Sequence, residues 1–342
     1  MLVNKKIEKN IGILTLDNIS NLNALNTKIL EDINIVYDEL IEDENVKLII
    51  LQGNEKAFSA GGDLRFIHSE LLEKDQPTEE FYKSELEIVK RFYNTKKPTI
   101  SFISGIVMGG GVGISIGSDI LISDETTKWA MPENKIGIIP DVGIGYYFSK
   151  MEQSIGLYLS LTGEIISGYD LVSLNIADFC ISRVKKENII DEIKSLDLEN
   201  STRDKNIENI KNIASKYNIE KNTTKFMENR ENIDKYFNKD TLEEVFNELE
   251  KSDDEFSKVT LEKLNYNSPI SLMIVFEKYF LGKNWNRVET VKKDLKILDY
   301  CHKSGNLKEG IRALMIDKDF SPNWNYNSIK EINREYVLNL LK

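Results

Sequence analysis

The chain has 342 residues, of which 41% are hydrophobic and 30% are charged, a composition typical of a folded protein of one or two domains and not of a disordered polymer. The 45 basic and 56 acidic residues leave a formal charge of -11. Because this charge opposes the neutralisation of phosphates on which nucleic-acid binding depends, we expect no nucleic-acid partner.

Residues 1–17 predict a strand, a turn at Gly12 and a second strand, and not a presequence. No apolar run approaches the roughly 18 residues that span a bilayer, so we expect no membrane partner. These features favour the cytoplasm if the chain is bacterial. The mature form of a eukaryotic protein of the mitochondrial matrix would look the same.

The first half of the chain alternates between helix and strand patterns. Apolar residues recur at helical spacing over 29–41, and the short apolar run 48–51 is typical of a buried strand. Further strands are predicted over 99–103 and 119–122, with a glycine-rich helical stretch at 109–117 between them. This order predicts an α/β fold.

The second half of the chain predicts helices. From about 186 to 268 it is dense in Lys, Glu, Asn and Asp with spaced apolar residues, which is typical of amphipathic helices with solvated faces. Helical spacing continues from 269 onwards. We therefore predict an α/β core over 1–185 and a helical C-terminal region over 186–342 that packs on the core.

Two glycine-rich clusters each follow a predicted strand, where α/β proteins place binding loops. In 57–64, two adjacent glycines permit a sharp turn, and Asp63 can cap the helix that follows. The cluster 108–113 does not match the dinucleotide motif G-x-G-x-x-G, because Ile114 stands at the last glycine position. A helix that begins there has free backbone N–H groups, which favour negative charge, including an oxyanion.

A third cluster, 129–143, carries Glu133 and Asp141 among apolar residues, prolines and glycines. Burial in such a setting raises the pKa of a carboxyl group towards the working range of a catalytic acid or base. Taken singly, a carboxylate in such a setting is more often a helix cap or a loop residue.

Cysteine and histidine are scarce. Cys180 and Cys301 are too few for a disulfide framework or a four-thiolate metal site, so we expect a reducing compartment. His68 and His302 lie in no recognisable nucleophile motif. This argues against hydrolysis by a Ser-His-Asp or Cys-His mechanism.

In their order along the chain, three motifs resemble the crotonase (enoyl-CoA hydratase/isomerase) superfamily. They are 58–63 (Phe-Ser-Ala-Gly-Gly-Asp), 105–111 (Gly-Ile-Val-Met-Gly-Gly-Gly) and 131–133 (Met-Pro-Glu). Within that superfamily, further segments resemble the 3-hydroxyisobutyryl-CoA hydrolases: 108–113, 131–133 with 139–143, and 309–319. The resemblance extends from the first strand to about Trp324 and is weakest over 190–265.

The resemblance implies a crotonase-like spiral of ββα repeats with a helical C-terminal region. It implies an oxyanion hole in which the N–H groups of Gly62 and Gly110 bind the thioester carbonyl. Glu133 and Asp141 would face this carbonyl as catalytic residues. Glu85 would bind substrate together with Gly110, Glu133 and Asp141, and the alternative for Glu85 is a solvated helix face.

Two positions separate hydrolases from hydratases. Hydratases of the superfamily carry a glutamate just after the glycine triplet, where this chain has Gly113, and they generally have Gly where this chain has Asp141. The exchange favours hydrolysis of the thioester of 3-hydroxyisobutyryl-CoA, or of a close short-chain 3-hydroxyacyl-CoA, in valine catabolism. Glu133 would either attack the carbonyl or activate water.

The alternatives are an enoyl-CoA hydratase or isomerase, and a non-catalytic acyl-CoA-binding protein. The expected chemistry needs no metal and no cofactor, because CoA is part of the substrate. The expected partner is therefore the acyl-CoA itself, and a homo-oligomer stays open.

Overall fold

The computed structural model describes residues 1–73, 78–220 and 223–342, apart from the side chains of residues 78 and 79. Its strands are β1 (Val3–Glu8), β2 (Ile11–Leu16), β3 (Leu48–Gln52), β4 (Ala57–Ser59), β5 (Thr99–Ile103), β6 (Ile106–Met108), β7 (Ile120–Asp124), β8 (Lys128–Ala130), β9 (Ile166–Ser167) and β10 (Phe179–Ile181).

The α-helices are α1 (Thr27–Glu42), α2 (Leu64–Glu73), α3 (Thr78–Tyr93), α4 (Gly110–Ile116), α5 (Ile144–Lys150), α6 (Gln153–Thr162), α7 (Gly168–Ser173), α8 (Lys186–Lys194), α9 (Arg203–Ser215), α10 (Lys225–Glu228), α11 (Arg230–Phe237), α12 (Leu242–Glu250), α13 (Glu255–Tyr266), α14 (Pro269–Gly282), α15 (Arg287–Lys303), α16 (Asn306–Ile311) and α17 (Arg334–Leu341). Short 3-10 turns lie at Ile19–Asn21, Glu133–Ile136, Arg183–Lys185 and Ile329–Glu331, and a π-helical turn lies at Arg312–Ile316. Within the described residues, none of these helices has the length and apolarity to cross a bilayer.

The chain forms two compact units. Unit 1 comprises Met1–Gly62, Ser84–Trp129 and Ile165–Thr224, and unit 2 comprises Asp63–Lys83, Ala130–Glu164 and Lys225–Lys342.

Unit 1 contains the sheets. The larger one has the order β1-β2-β3-β5-β7-β10, in which β1 and β2 are antiparallel and the strands from β2 to β10 run parallel. The smaller one has the order β4-β6-β8-β9. Along the chain, β3, β5 and β7 of the larger sheet are each followed directly by a strand of the smaller one. Helices separate these strand pairs, so the predicted ββα repeat is present.

The core of unit 1 joins the larger sheet to α8 and α9. Ile50 and Ile100 of the strands belong to one buried cluster with Ile189 and Ile193 of α8 and Ile210 of α9. Isoleucine suits both the strand face and the helix face here, because each presents a continuous apolar surface to the other.

The units do not divide at the predicted boundary between residues 185 and 186. Residues 186–220 belong with the sheets, because their isoleucines complete the sheet core. Residues 130–164, which the prediction assigned to the core, belong with the C-terminal helices. Within the described part of 186–342 the regular elements are helices, as predicted.

Unit 2 is organised around α14. Ser268 caps this helix by accepting a hydrogen bond from the N–H of Ser271, and Pro269 occupies its first turn. Almost every side chain of α14 is buried, including the charged pair of neighbours Glu277 and Lys278. Helices α5, α6 and α17 pack against it. A helix buried on all sides lies at the centre of its unit.

The N-terminal hairpin differs from the prediction in its turn. Lys9 and Asn10 form the turn, with Lys9 at a φ of 53°, and Gly12 lies inside β2. A Cβ at Gly12 would overlap the Leu40 side chain of α1 and lie 3.1 Å from Val46 Cγ1. Glycine is therefore favoured there by close packing against these side chains and not by a reversal of the chain.

Asn23 holds β4 in place. Its buried side-chain amide donates to the carbonyl oxygens of Ala57 and Phe58, at 3.0 Å each. Its Oδ1 accepts from the N–H of Asn18 at 2.7 Å and from Nδ2 of Asn54 at 3.0 Å. With a φ of 55°, Asn23 also adopts the left-handed conformation that asparagine tolerates better than most residues.

We expect Asn23→Ala to lower the free energy of unfolding by at least about 2 kcal/mol, because each buried group left without a partner costs about 1–3 kcal/mol. Urea unfolding measures this loss. Asn188→Ala, at an exposed position of α8, is the matched control and should stay within about 0.5 kcal/mol of the parent. Equal effects of the two substitutions would show that Asn23 does not hold β4.

Candidate active site

The first glycine cluster forms a tight turn directly after β4, in unit 1. Gly61 has a φ of 84°, and a Cβ there would lie 2.8 Å from the carbonyl oxygen of Met108. The Gly61 carbonyl accepts from the N–H of Leu25 at 2.7 Å, and Leu25 and Gly62 form a parallel bridge. The turn needs glycine because β4 and β6 approach each other closely.

Asp63 begins unit 2 and caps α2, as predicted. Its Oδ1 accepts from the N–H groups of Arg65 and Phe66, each at 3.2 Å.

The second cluster opens α4, with Gly109 as its N-cap at a φ of 50°. A Cβ at Gly111 would lie 2.6 Å from the carbonyl oxygen of Ser59, so α4 packs directly on β4. Within the described residues, the N–H groups of Gly62 and Gly110 donate no hydrogen bond.

Glu85 lies beside Gly110. A Cβ on Gly110 would overlap the Glu85 carboxylate and lie 2.7 Å from Leu25 Cδ1. Glu85 is buried on α3, with 3% of its surface exposed. The prediction that it is a site residue is consistent with this position, whereas the alternative of a solvated helix face is wrong.

Glu133 lies in unit 2, where it is buried at the start of the 3-10 turn Glu133–Ile136. Asn134 anchors this turn, because its side-chain amide donates to the carbonyls of Ser160 at 2.7 Å and Leu161 at 3.1 Å. Gly137 ends the turn with a φ of 79°. Glu133 thus comes from a turn held on the C-terminal end of α6.

Asp141 is also buried in unit 2, and only 4% of its surface is exposed. It precedes Val142 and Gly143, both of which have positive φ angles, 47° and 80°. Burial, followed by the negative charge of Asp294, raises the pKa of Asp141 to about 7, while the positive charge of Lys278 lowers it. Both protonation states of Asp141 are therefore accessible near neutral pH.

The structure thus places Gly62, Gly110 and Glu85 in unit 1, and Glu133 and Asp141 in unit 2. In the first group it brings Glu85 against Gly110.

Sequence analysis missed Lys278 and Asp294. They form an ion pair in which 5% and 0% of the two side chains are exposed. A lysine within the apolar run 269–282 was the available signal, because a helix buried on all sides has no solvated face for it. The described residues contain no group of three or more His, Cys, Asp or Glu side chains that could hold a metal ion.

A family model described as enoyl-CoA hydratase/isomerase matches residues 11–341. The chain belongs to this family. The resemblance carried by the three motifs is therefore confirmed.

The curated relatives include proteins named 3-hydroxyisobutyryl-CoA hydrolase, mitochondrial. The one from Gallus gallus is 31% identical over 332 residues, which cover 97% of this chain and 86% of the relative. The one from Homo sapiens is 30% identical, and the match covers 97% of this chain and 86% of the relative.

Solved structures of the family share the fold. An enoyl-CoA hydratase from Rhodobacter sphaeroides has a TM-score of 0.87 at 27% identity, covering 100% of this chain and 97% of that one. A carnitinyl-CoA dehydratase from Mycobacterium thermoresistibile has a TM-score of 0.87 at 25% identity, covering 100% and 96%. The predicted fold class, a crotonase-like α/β fold with a helical C-terminal region, is confirmed.

The two glycines that open α4 should respond differently to a methyl group. Gly110→Ala meets the movable Glu85 side chain, whereas Gly111→Ala meets the Ser59 backbone. We expect Glu85→Ala to relieve much of the loss of stability in Gly110→Ala, with a coupling of about 0.5–3 kcal/mol.

Urea unfolding of the two double-mutant cycles measures these couplings. Glu85→Ala should leave the cost of Gly111→Ala unchanged. If both cycles show the same coupling, the Glu85 carboxylate does not occupy the space above Gly110.

Proposed function

We propose that this protein hydrolyses an acyl-CoA thioester, and that its substrate is 3-hydroxyisobutyryl-CoA or a close short-chain 3-hydroxyacyl-CoA of valine catabolism. One observation carries the proposal. The chain buries two carboxylates, Glu133 and Asp141, while position 113, where a hydratase of this family has a glutamate, is a glycine inside α4. The names of the relatives at 30–31% identity support the same choice.

In the proposed reaction, the N–H groups of Gly62 and Gly110 donate hydrogen bonds to the carbonyl oxygen as it becomes an oxyanion. Fixed backbone donors of this kind lower the barrier because they need no rearrangement when the charge forms. Glu85 binds substrate beside Gly110.

The carboxylates carry the rest of the reaction. Glu133 either removes a proton from the attacking water or attacks the carbonyl carbon itself to form a mixed anhydride that water then hydrolyses. The carbon–sulfur bond breaks, and the CoA thiolate takes up a proton. Asp141 either supplies that proton or accepts a hydrogen bond from the 3-hydroxyl group of the substrate.

The products are a free hydroxy acid and CoA, and the steps use no metal and no separate cofactor. A homo-oligomer stays a prediction. So does the compartment, which is the cytoplasm for a bacterial chain or the mitochondrial matrix for a eukaryotic one; the relatives named above are mitochondrial.

Hydration is the competing activity within the family. We expect purified protein to release CoA from 3-hydroxyisobutyryl-CoA at least 100-fold faster than it hydrates crotonyl-CoA, because Gly113 leaves hydration without one of its two carboxylates; a single positioned acid or base contributes about 10²–10⁴-fold to rate. A thiol reagent follows CoA release, and loss of the enoyl absorbance follows hydration.

If hydration is the faster reaction, the protein is a hydratase. If neither reaction occurs but CoA esters bind, it is an acyl-CoA-binding protein. Both results contradict the proposal.

Both buried carboxylates should be required for turnover. Glu133→Gln and Asp141→Asn keep the size of each side chain and remove its acid/base function, so each should lower kcat by about 10²–10⁴-fold. Matched controls are Glu262→Gln and Asp253→Asn, at exposed positions of unit 2, which should keep the parental rate. Normal turnover in a folded Glu133 or Asp141 variant removes that residue from the mechanism.

A further inference from the structure

The turn that carries Asp141 is strained. Val142 has a φ of 47°, in the left-handed region that β-branched residues rarely adopt. Such a conformation is energetically unfavourable and persists only where the surroundings hold it. Val142 is also fully buried.

Two charged side chains form hydrogen bonds to the backbone of this turn. Lys278 Nζ donates to the carbonyl oxygen of Pro140 at 2.9 Å. Asp294 Oδ2 accepts from the N–H of Gly143 at 2.9 Å. Lys278 also donates to the other oxygen of Asp294, so the two side chains form one connected clamp.

The path of Lys278 depends on a further glycine. A Cβ at Gly145 would lie 2.7 Å from Lys278 Cε and 3.0 Å from its Nζ. The first turn of α5 is therefore open enough for the ammonium group to reach Pro140.

A buried ion pair needs an explanation. Removing two charges from water is expensive, and apolar residues of similar volume often stabilise a protein as well or better. Here α14 and α15 place one charge of each sign around Asp141. The Cys301 thiol also interacts with Asp141. Burial, followed by the negative charge of Asp141, raises the pKa of this thiol to about 12, so the thiol stays neutral.

We propose that Lys278 and Asp294 are positioning residues for Asp141: they hold its strained turn in place and surround its carboxyl group with one charge of each sign. This inference rests on the proposed function in one respect, namely that Asp141 takes part in the reaction. The clamp itself does not depend on the identity of the acyl group.

The two members of the clamp act on Asp141 in opposite directions. Asp294 raises the pKa of Asp141, because a second negative charge nearby disfavours ionisation, and Lys278 lowers it. In Asp294→Asn, Lys278 is left with Asp141 as its neighbouring carboxylate. The pKa of Asp141 therefore falls, by about one unit or more.

Lys278→Gln has the opposite effect. It leaves two buried carboxyl groups without a cation, and two such groups do not both stay ionised. Their titration therefore moves to higher pH.

The experiment measures both variants in two ways. The pH profile of kcat on the acyl-CoA reports the midpoint of the catalytic carboxyl group. A difference infrared titration, which needs no substrate, follows the carbonyl stretch of protonated carboxyl groups, and subtraction of the Asp141→Asn spectrum isolates Asp141. We expect Asp294→Asn to move both midpoints to lower pH and Lys278→Gln to move both to higher pH.

Glu277→Gln is the matched control. Glu277 is the neighbour of Lys278 on α14, and it is a buried carboxylate paired with Arg334 at 2.5 and 3.1 Å. Removing its charge should lower the thermal midpoint and leave the titration of Asp141 where it was. A merely structural role for Lys278 and Asp294 would make their variants behave like this control.

Unmoved midpoints, or shifts in the same direction for both variants, overturn the proposal. If Lys278→Gln does not fold, Asp294→Asn decides alone. If Asp294→Asn does not fold, Lys278→Gln decides alone. Opposite infrared shifts in a protein that hydrolyses no acyl-CoA would support the clamp and contradict the proposed function.

Discussion

The close approach of α4 to β4 is the constraint on which the proposed oxyanion hole depends. The Gly111 Cα lies so near the Ser59 carbonyl that a side chain does not fit between them. This contact fixes where α4 begins, and with it the direction of the Gly110 N–H. Asn23 holds the other side of β4 through hydrogen bonds to its carbonyls. The hydroxyl group of Ser59 adds a third contact, because it donates to the carbonyl oxygen of Asn23 at 2.8 Å.

Unit 2 is under a different constraint. Its carboxyl group at Asp141 is buried away from water and is still able to ionise near neutral pH. Burial alone would leave a carboxyl group protonated at neutral pH, and a salt bridge alone would leave it permanently charged. Asp141 lies between these limits, since it is near a lysine but does not pair with it. Lys278 instead pairs with Asp294.

Much of this could be predicted from the sequence, because the informative residues are local. The Asp63 cap and the short apolar strands each depend on a few neighbouring residues, and the structure confirms them. The domain boundary could not be predicted, because isoleucines at 189–214 look the same whether they cover a sheet or another helix. The clamp at Asp141 was missed because its members are separated by more than a hundred residues of sequence from the turn they hold.

The two cysteines allow local opening to be followed in each unit. Cys180 lies in unit 1 and Cys301 in unit 2, and both thiols are free and buried. Burial raises their pKa values to about 11 and about 12, so neither forms a reactive thiolate while its unit is folded. Alkylation of either thiol requires local opening, and the rate at each site reports how often that region opens. The native chain therefore carries one built-in probe of opening in each unit.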